Sequence, residues 1–422
     1  MMSNRIIVAG AGASGIMAAI AAARQGASVT LLEAMERPGK KLLLTGNGRC
    51  NLTNLDPSLP EKYFGSGSKV AKTLTRQAGA SFTRSFFSGL GLLTTAKGDY
   101  VYPYCGQSQA VLSVLLCELR RLGVKLKCKE KVTGLYYSEG AWHVKTETWT
   151  YQADSVILSC GSMAAPATGS DGSGYLVAED LGHTVLSPAP ALVPVICEGS
   201  FLQQLFGVRC RAKVSLMEHT VEGRALLGSE TGELQWTKYG VSGIVVFQLS
   251  RFISTHPNQK ALRFHLDLLP DFEEEELAGI LEKRRKEIPN ERIAVLLSGM
   301  LNEKLTGTVL SRTGIPPKTM CGAVPERQIF DLIRNIKDFS LKIKGTKSFD
   351  ISQVCAGGID CGEINPDTLE SRLHSGVYFT GELLDVDGPC GGYNLQWAWS
   401  SGYIAGCAAA KKESRSYDNS DS

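Results

Sequence analysis

The sequence predicts an α/β protein in which both ends of the chain form one Rossmann-like nucleotide-binding domain, interrupted by an inserted domain. Three observations support this prediction. A β-branched run, Arg5–Ala9, leads through the glycine-spaced GAGASG into an alanine-rich helical segment, Ala13–Gln25. A glycine-rich, β-branched texture returns after Lys347. Between these ends lies a stretch of different character, which begins at the proline-rich SPAPALVPV, 187–195.

The change in texture also predicts the domain boundaries. The expected domains are 1–190 with 345–422 for the nucleotide-binding domain, and 191–344 for the insertion. Within the insertion, the expected regions are β-rich at 191–268 and 320–344, and helical at 270–319. The mixed charges of 273–286 are typical of a solvated helix face. The polar tail that follows Ala410 is expected to be disordered.

The bulk composition is that of a globular protein with a small-molecule function. Of 422 residues, 43% are hydrophobic and 21% charged, and the net charge of +3 is too small to predict a nucleic-acid or membrane-surface partner. The twelve cysteines form no C-x-x-C pair, so we expect no metal site and free thiols in a reducing cytoplasm. The apolar N-terminal run contains three spaced glycines, and we interpret it as a strand–turn–helix unit rather than a signal peptide. No stretch predicts a membrane span.

The first turn carries a dinucleotide-binding fingerprint. GAGASG supplies Gly10, Gly12 and Gly15. The first glycine permits a tight turn, the second lets backbone approach a pyrophosphate, and the third allows close helix–strand packing. The helix that begins at Ala13 and Ser14 offers N–H groups to the phosphates. Glu33, about 20 residues further on, is placed to bind ribose hydroxyls.

The next segments favour FAD over NAD. Many FAD proteins of the glutathione-reductase type carry an arginine and a Gly-Gly pair after the acidic strand end. This chain is similar, with Arg37 and Gly39-Lys40. In such proteins the loop that follows, here LLLTGNGRCNLTN, lies along the FAD pyrophosphate and reaches the isoalloxazine ring. Its expected cofactor contacts are Lys40, Lys41, Thr45, Gly46, Asn47, Gly48, Arg49, Cys50 and Asn51.

The cysteine of this loop has no redox partner in the sequence. Disulfide reductases hold a C-x-x-x-x-C pair here, whereas Leu55 stands five residues after Cys50. We therefore expect no disulfide relay. Cys50 is interpreted either as a packing residue beside the flavin, which we prefer, or as a modulator of the flavin.

Two later segments return to the cofactor in the same resemblance. ADSVILSCG, 153–161, is similar to the strand that comes back to FAD in two-domain flavoproteins. In GVYFTGELLDVDGPCGGYNLQWAWSSGYIAG, 376–406, a strand end precedes a glycine pair that opens a helix. In flavoproteins such a helix faces the flavin N1 and C2 carbonyl with its positive end. The additional expected contacts are Val132, Cys160, Gly161, Gly381, Glu382, Gly391, Gly392, Tyr393 and Asn394.

Taken together, NGRCN, CAGGID, GELLDVDG and GGYNLQWA resemble the HI0933-like, or BaiN-type, flavoprotein family over nearly the whole chain. The resemblance implies FAD as cofactor, a fold similar to the two-dinucleotide-binding flavoproteins, and an insertion with β-barrel-like and helical parts. Family members include a reductase proposed for 3-oxo-4-ene bile-acid intermediates and an aminoacetone oxidase.

The first functional hypothesis is therefore an FAD-dependent reductase of C=C bonds in 3-oxo-4-ene steroid or bile-acid-like substrates. NAD(P)H is its expected transient electron donor. An acid must protonate the α-carbon, and YVYPYCG offers Tyr100, Tyr102 and Tyr104, which alternation would send to one side of a strand. Tyr102, Tyr104 and Cys50 are the catalytic candidates, although aromatic core packing is the interpretation we favour for the tyrosines.

Two further hypotheses remain. An oxygen-using amine oxidase of the aminoacetone oxidase type would need only a deprotonated amine at the flavin. An RNA-modifying flavoprotein ranks third, because the short KRR run stands among glutamates and gives little support to a phosphate-binding surface. We expect a small-molecule substrate and no stable nucleic-acid partner.

Overall fold

The computed structural model describes residues 4–411, so the tail predicted to be disordered lies, from residue 412 on, outside the described residues. The chain forms two compact units. The first contains the chain up to Ala189 and again from Phe349, and the second is Pro190–Ser348. None of the helices within 4–411 is long and apolar enough to cross a bilayer.

The elements follow in chain order. Up to the first unit boundary they are β1 Arg5–Ala9, α1 Ala13–Arg24, β2 Ser28–Glu33, α2 Lys40–Leu44, β3 Thr53–Asn54, α3 Ser68–Gln77, α4 Ala80–Gly89, β4 Thr94–Lys97, β5 Tyr100–Pro103, α5 Ser108–Arg121, β6 Lys125–Cys128, β7 Val132–Ser138, β8 Ala141–Thr146, β9 Thr150–Ala153, β10 Ser155–Leu158, α6 Ser173–Asp180 and β11 Val185–Ala191. The second unit contains β12 Val195–Cys197, α7 Leu202–Leu205, β13 Arg209–Thr220, β14 Gly223–Thr237, β15 Gly240–Ser242, α8 Ile244–Ser254, β16 Leu262–Asp267, α9 Glu274–Glu287, α10 Ile293–Leu297, α11 Glu303–Thr313, α12 Glu326–Lys337 and β17 Phe339–Thr346. The returning chain adds β18 Val354–Ile359, β19 Val377–Phe379 and α13 Tyr393–Lys411.

A parallel five-stranded sheet organises the first unit. Its strand order is β19-β10-β1-β2-β6, and every neighbouring pair is parallel. The inner strands are nearly all buried, as expected for a sheet covered on both faces. Because β19 comes from the C-terminal part and β1 from the N-terminal part, the predicted Rossmann-like domain built by both termini is confirmed. The three-stranded antiparallel sheets β7-β8-β9 and β3-β5-β4 and the two-stranded sheet β11-β18 accompany it.

Two glycines of α13 let this helix lie directly on α1. A Cβ built at Gly402 would collide with the carbonyl oxygen of Ser14, and one at Gly406 with that of Ala18. The two helix backbones are therefore in contact, an approach that any larger side chain would prevent. This packing holds α13 against the N-terminal half of α1.

The second unit contains a closed antiparallel barrel with the strand order β12-β15-β14-β13-β16-β17. Its interior holds Trp236, Phe264 and Phe339, all fully buried. Closure leaves no unpaired sheet edge among these strands. The implied β-barrel-like and helical insertion is confirmed.

One expected region of the insertion differs. Residues 320–344 were expected to be β-rich, but about half of them form α12, and strand β17 begins only at Phe339. The buried residues of α12 recur at helical spacing: Ile329, Leu332, Ile333 and Ile336. This spacing of three and four residues gives the helix one continuous apolar face. Packing of that face outweighs the preference of the β-branched isoleucines for strands. The predicted β-rich region 191–268 also contains two helices, α7 and α8.

Candidate functional site

The three glycines of the first turn have different surroundings. Gly10 has a φ of +99°, and a Cβ there would collide with the carbonyl oxygen of Ser159. A Cβ at Gly15 would overlap the carbonyl oxygen of Gly10, so α1 packs directly on the turn. At Gly12, by contrast, no atom of residues 4–411 other than those of Gly12 and its two chain neighbours lies within 4 Å of the Cβ position. Only the second glycine borders open space, which is where a pyrophosphate has to approach.

The carboxylate of Glu33 closes this turn at the end of β2. It accepts hydrogen bonds from the backbone N–H groups of Ala11 and Met35, each at 2.8 Å. Burial raises the pKa of this carboxyl, and the two backbone hydrogen bonds and Lys40 oppose the rise. Each oxygen keeps a second lone pair, so the fixed carboxylate can still accept from ribose hydroxyls.

Replacing Glu33 with alanine is expected to lower FAD affinity by about ten- to a hundredfold. A hydrogen bond to a charged group contributes about 1.5–3 kcal/mol, and the change also releases the Ala11 backbone. Flavin fluorescence titration of the apoprotein measures the change. Glu36→Ala, at an exposed position in the same segment, is the control and should bind like the parent. Parent-like affinity of Glu33→Ala would mean that the ribose is held elsewhere.

The chain that leads into β7 lies along the same edge. The backbone N–H of Lys129 donates to the carbonyl of Met35 at 3.0 Å, and that of Glu130 donates to the carbonyl of Glu33 at 2.9 Å. The buried Val132, a predicted cofactor contact, follows two residues after Glu130 on this segment. Arg37 is exposed on the loop that follows β2.

The glycine loop after α2 is exposed and takes left-handed backbone conformations. Gly46, Asn47 and Gly48 have φ values of +58°, +55° and +81°. Asparagine and glycine are the residues that adopt this region at least cost. The guanidinium of Arg49 lies 5.3 Å from the centre of the Tyr102 ring. The loop 46–49 therefore leads from residues predicted to contact the pyrophosphate to Tyr102, a predicted catalytic candidate.

Cys50 ends this loop inside the protein. Its side chain is fully buried, and its backbone N–H donates to the carbonyl of Thr45 at 2.9 Å. Burial raises the pKa of the thiol to about 12, so the group is neutral at pH 7. A neutral, buried thiol is a poor nucleophile, which favours packing over modulation of the flavin.

Cys50→Ser is accordingly expected to keep most of the rate of flavin reduction. Stopped-flow absorbance of the FAD-loaded variant measures that rate, with Cys105→Ser as a control at an exposed cysteine. If reduction is lost while FAD stays bound, the thiol takes part in electron transfer.

Hydrogen bonds attach the segment after Cys50 to the start of α13. The bonds are Asn54 Nδ2 to the Gly391 carbonyl at 2.8 Å, Trp399 Nε1 to the Leu52 carbonyl at 3.0 Å, and Thr53 Oγ1 to Gln396 Oε1 at 2.6 Å. The side chain of Gln396 is fully buried and uses both ends of its amide. Gln396 was not among the residues predicted from the sequence, where its signal is an amide next to the tryptophans of a largely apolar helix.

The glycine pair before α13 makes this attachment possible. A Cβ at Gly391 would lie 2.5 Å from the Tyr100 ring. A Cβ at Gly392 would lie 2.6 Å from the backbone carbonyl carbon of Thr53 and 3.0 Å from Asn51 Oδ1. The absence of side chains at the two glycines therefore makes room for Tyr100 and for the loop 51–53. The N-terminus of α13 lies directly beside this loop.

The polar atoms of two predicted contacts are engaged within the protein. Asn394 donates to the carbonyls of Gly388 and Pro389 and accepts from the Gly388 N–H. The hydroxyl of Tyr393 donates to Asp56 Oδ2 at 3.1 Å. The structure thus uses the Asn394 side chain to shape the turn in front of α13.

Glu382 and Lys41, which are far apart in sequence, form an ion pair with Nζ and Oε2 2.6 Å apart. Ser162 Oγ, which the sequence analysis missed, donates to the same carboxylate at 2.9 Å. Gly381, with a φ of +66°, lies against α1, since a Cβ there would be 2.5 Å from Ser14 Oγ. These predicted contacts therefore gather beside the N-terminus of α1.

The returning strand β10 brings Cys160 and Gly161 next to the first turn. Burial raises the pKa of Cys160 to about 12, so this thiol is also neutral. Gly161 has a φ of +77°, and a Cβ there would lie 2.8 Å from Ser170 Oγ. The pair lies beside Gly10 because Ser159 packs on that glycine.

The tyrosines do not all share one strand face. Tyr100 and Tyr102 lie on the outer face of β5, whereas Tyr104 follows the end of the strand and is 73% exposed. The expected alternation therefore holds for Tyr100 and Tyr102 only, because the strand ends at Pro103. Burial raises the pKa of Tyr102, and Arg49 opposes the rise.

This arrangement fits a dinucleotide cofactor. Open space borders Gly12, the Glu33 carboxylate is fixed at the strand end, and an exposed glycine loop runs from Gly46 to Gly48. Next to the start of α13, the buried Asn51 Oδ1 has no hydrogen-bond partner within residues 4–411.

Comparison with known families identifies the chain. The HI0933-like protein Rossmann domain family matches residues 4–408. The chain belongs to this family. The predicted resemblance is confirmed over nearly the whole chain, and with it the assignment as a flavin-dependent oxidoreductase.

Known relatives are similar to this chain in sequence, and a solved structure is similar to it in fold. This HI0933-like protein is 43% identical to a 3-dehydro-bile acid delta(4,6)-reductase from Clostridium scindens, over 97% of this chain and 100% of that enzyme. It is 28% identical to a ribosomal RNA dihydrouridine synthase from Haemophilus influenzae, over 96% of this chain and 98% of the relative. Its fold is similar to that of a 3-ketosteroid-delta4-(5alpha)-dehydrogenase from Rhodococcus jostii RHA1, with a TM-score of 0.53, 16% identity and 98% of each chain covered.

Proposed function

We propose that the protein reduces a C=C bond conjugated to the 3-oxo group of a bile-acid or steroid-like substrate, with FAD as cofactor and NAD(P)H as electron donor. The observation that carries this proposal is the 43% identity to the bile-acid reductase across the full length of that enzyme. The twelve cysteines are free thiols, a state that a reducing cytoplasm maintains, and the proposal places the enzyme there.

FAD, when bound, supplies the hydride that adds to the β-carbon of the enone. In this proposal Glu33 holds the ribose, and the N-terminus of α1 next to Gly12 holds the pyrophosphate. The ion pair of Lys41 and Glu382 offers both a donor and an acceptor to the remaining polyol chain. These residues bind and orient, and none of them needs to change its protonation state.

Protonation of the α-carbon is assigned to Tyr102. Its phenol is half-buried on the outer face of β5, and its raised pKa keeps it protonated at neutral pH. A positioned neutral acid of this kind suits proton donation to a developing enolate. Arg49, whose guanidinium lies beside the same ring, can stabilise the negative charge that develops on the substrate oxygen.

The second candidate is reduction of uridine in RNA. It is favoured by the 28% identity to a ribosomal RNA dihydrouridine synthase over 96% of this chain. Dihydrouridine formation also saturates a C=C bond conjugated to a carbonyl, so the same hydride and proton chemistry would serve it. The identity to the bile-acid reductase is higher, and we rank RNA second.

Anaerobic reoxidation of the reduced flavin tests the proposal. The FAD-loaded protein is reduced with NADPH and mixed with a 3-oxo-4-ene bile acid, its saturated 3-oxo counterpart, or uridine-containing RNA. We expect only the enone to reoxidise the flavin, with one C=C bond saturated per flavin. Reoxidation by RNA and not by the enone would support the second candidate. Peroxide release with aminoacetone and oxygen would instead support an amine oxidase.

A further inference from the structure

The side-chain oxygen of Asn51 is a buried acceptor without a donor. Asn51 is 9% exposed, and its Oδ1 has no hydrogen-bond partner within residues 4–411. Buried polar atoms in native proteins almost always have partners. An acceptor left open beside a cofactor site therefore points to a donor that the ligand brings.

The surroundings of Asn51 Oδ1 indicate which donor atom of a ligand can reach it. This oxygen lies 3.0 Å from the Cβ position of Gly392, immediately before α13. A Cβ at Gly46 would lie 3.1 Å from the Asn51 backbone nitrogen, so this residue also packs against the glycine loop. The acceptor oxygen itself therefore lies against Gly392, next to the positive N-terminal end of a 19-residue helix.

The neighbouring amide cannot take the same role. Asn54 donates to the carbonyl of Gly391 and accepts from the backbone N–H of Asp56, so its oxygen and its nitrogen are both engaged. Of the two buried amides in this segment, Asn51 is thus the one whose oxygen has no partner within residues 4–411.

We infer that Asn51 positions the isoalloxazine ring by accepting a hydrogen bond from its N3–H, an inference that rests on the proposed FAD function. Oxidised isoalloxazine has one N–H group, N3–H, between two carbonyl acceptors. A helix N-terminus supplies donors and suits a carbonyl, whereas Asn51 Oδ1 supplies an acceptor and suits N3–H. Together they match the donor–acceptor order of the pyrimidine edge, which makes Asn51 a specificity residue for this edge.

A flavin methylated at N3 tests this inference, because the methyl group removes the donor and leaves the rest of FAD unchanged. Apoprotein of the parent and of three variants is titrated with FAD and with 3-methyl-FAD. We expect the parent to bind FAD at least about tenfold more tightly. Asn51→Ala should bring this ratio close to one, and Asn51→Asp, which keeps an acceptor oxygen, should preserve the preference.

Asn54→Ala is the matched control. It removes an amide that anchors the same loop, so it should weaken binding of both flavins and leave their ratio as in the parent. FAD labelled with ¹⁵N at N3 adds a second readout. The N3–H proton signal should be protected from exchange in the parent and in Asn51→Asp, and lose this protection in Asn51→Ala.

Equal affinity of the parent for the two flavins would overturn the inference, as would an unchanged ratio in Asn51→Ala. If Asn51→Ala does not fold, loss of the preference in Asn51→Asp overturns it in the same way. A parent protein that binds neither flavin would contradict the proposed function instead, so the two failures are distinguishable.

Discussion

Gly392→Val is expected to remove stable FAD binding and to lower the free energy of unfolding by several kcal/mol, on the order of the largest single-site effects. The backbone at this position has a φ of +95°, which a β-branched residue adopts only with strain. The new Cβ would lie 2.6 Å from the Thr53 carbonyl carbon, and backbone cannot turn away as a side chain can. The loop and the start of α13 would be forced apart. FAD content and denaturant unfolding measure the two effects.

Gly26→Val separates backbone strain from this collision. Gly26 has a φ of +90°, and beyond its two chain neighbours no other described residue comes within 4 Å of its Cβ position. We expect a smaller loss of stability there and full FAD content. Where some FAD remains bound to Gly392→Val, its midpoint potential should be lower, because helix N–H donors no longer reach the reduced anion. Parent-like stability, FAD content and potential would show that the active site lies elsewhere.

Tyr102→Phe is expected to slow reoxidation of the reduced flavin by the enone by about 10²–10⁴-fold, the range typical of general acid catalysis. The change removes the phenolic proton and keeps the ring under Arg49. The reductive half-reaction with NADPH needs no acid from the protein and should keep its rate. Stopped-flow measurement of the two half-reactions separates these outcomes.

The pH dependence follows from the raised pKa of Tyr102. Because burial moves this pKa above its usual value near 10, the phenol stays protonated through neutral and mildly alkaline pH. Reoxidation in the parent should therefore be independent of pH in that range and fall only in stronger alkali. Tyr104→Phe is the discriminating control, since Tyr104 lies beyond the strand. A larger effect of Tyr104→Phe than of Tyr102→Phe would assign the proton to Tyr104.

Local sequence patterns were sufficient to predict the first turn and the fold class. The spacing of Gly10, Gly12 and Gly15 between a strand and a helix fixed their three different roles, because each role depends on backbone geometry within a few residues. The return of a glycine-rich, β-branched texture near the C-terminus also predicted that both ends share one sheet. The periodicity of α12 was present in the sequence too, although the region 320–344 was expected to be β-rich.

By itself, then, the sequence determined the family, the dinucleotide turn, Glu33 and the glycine loop that ends in Cys50. Only the tertiary structure decided which polar side chains are already engaged. It paired Lys41 with Glu382, closed the amides of Asn394 and Gln396 on neighbouring backbone and side chains, and left the Asn51 oxygen open. The physical reason is that hydrogen-bond satisfaction depends on groups hundreds of residues apart, which the packing of α13 against the N-terminal loop brings together.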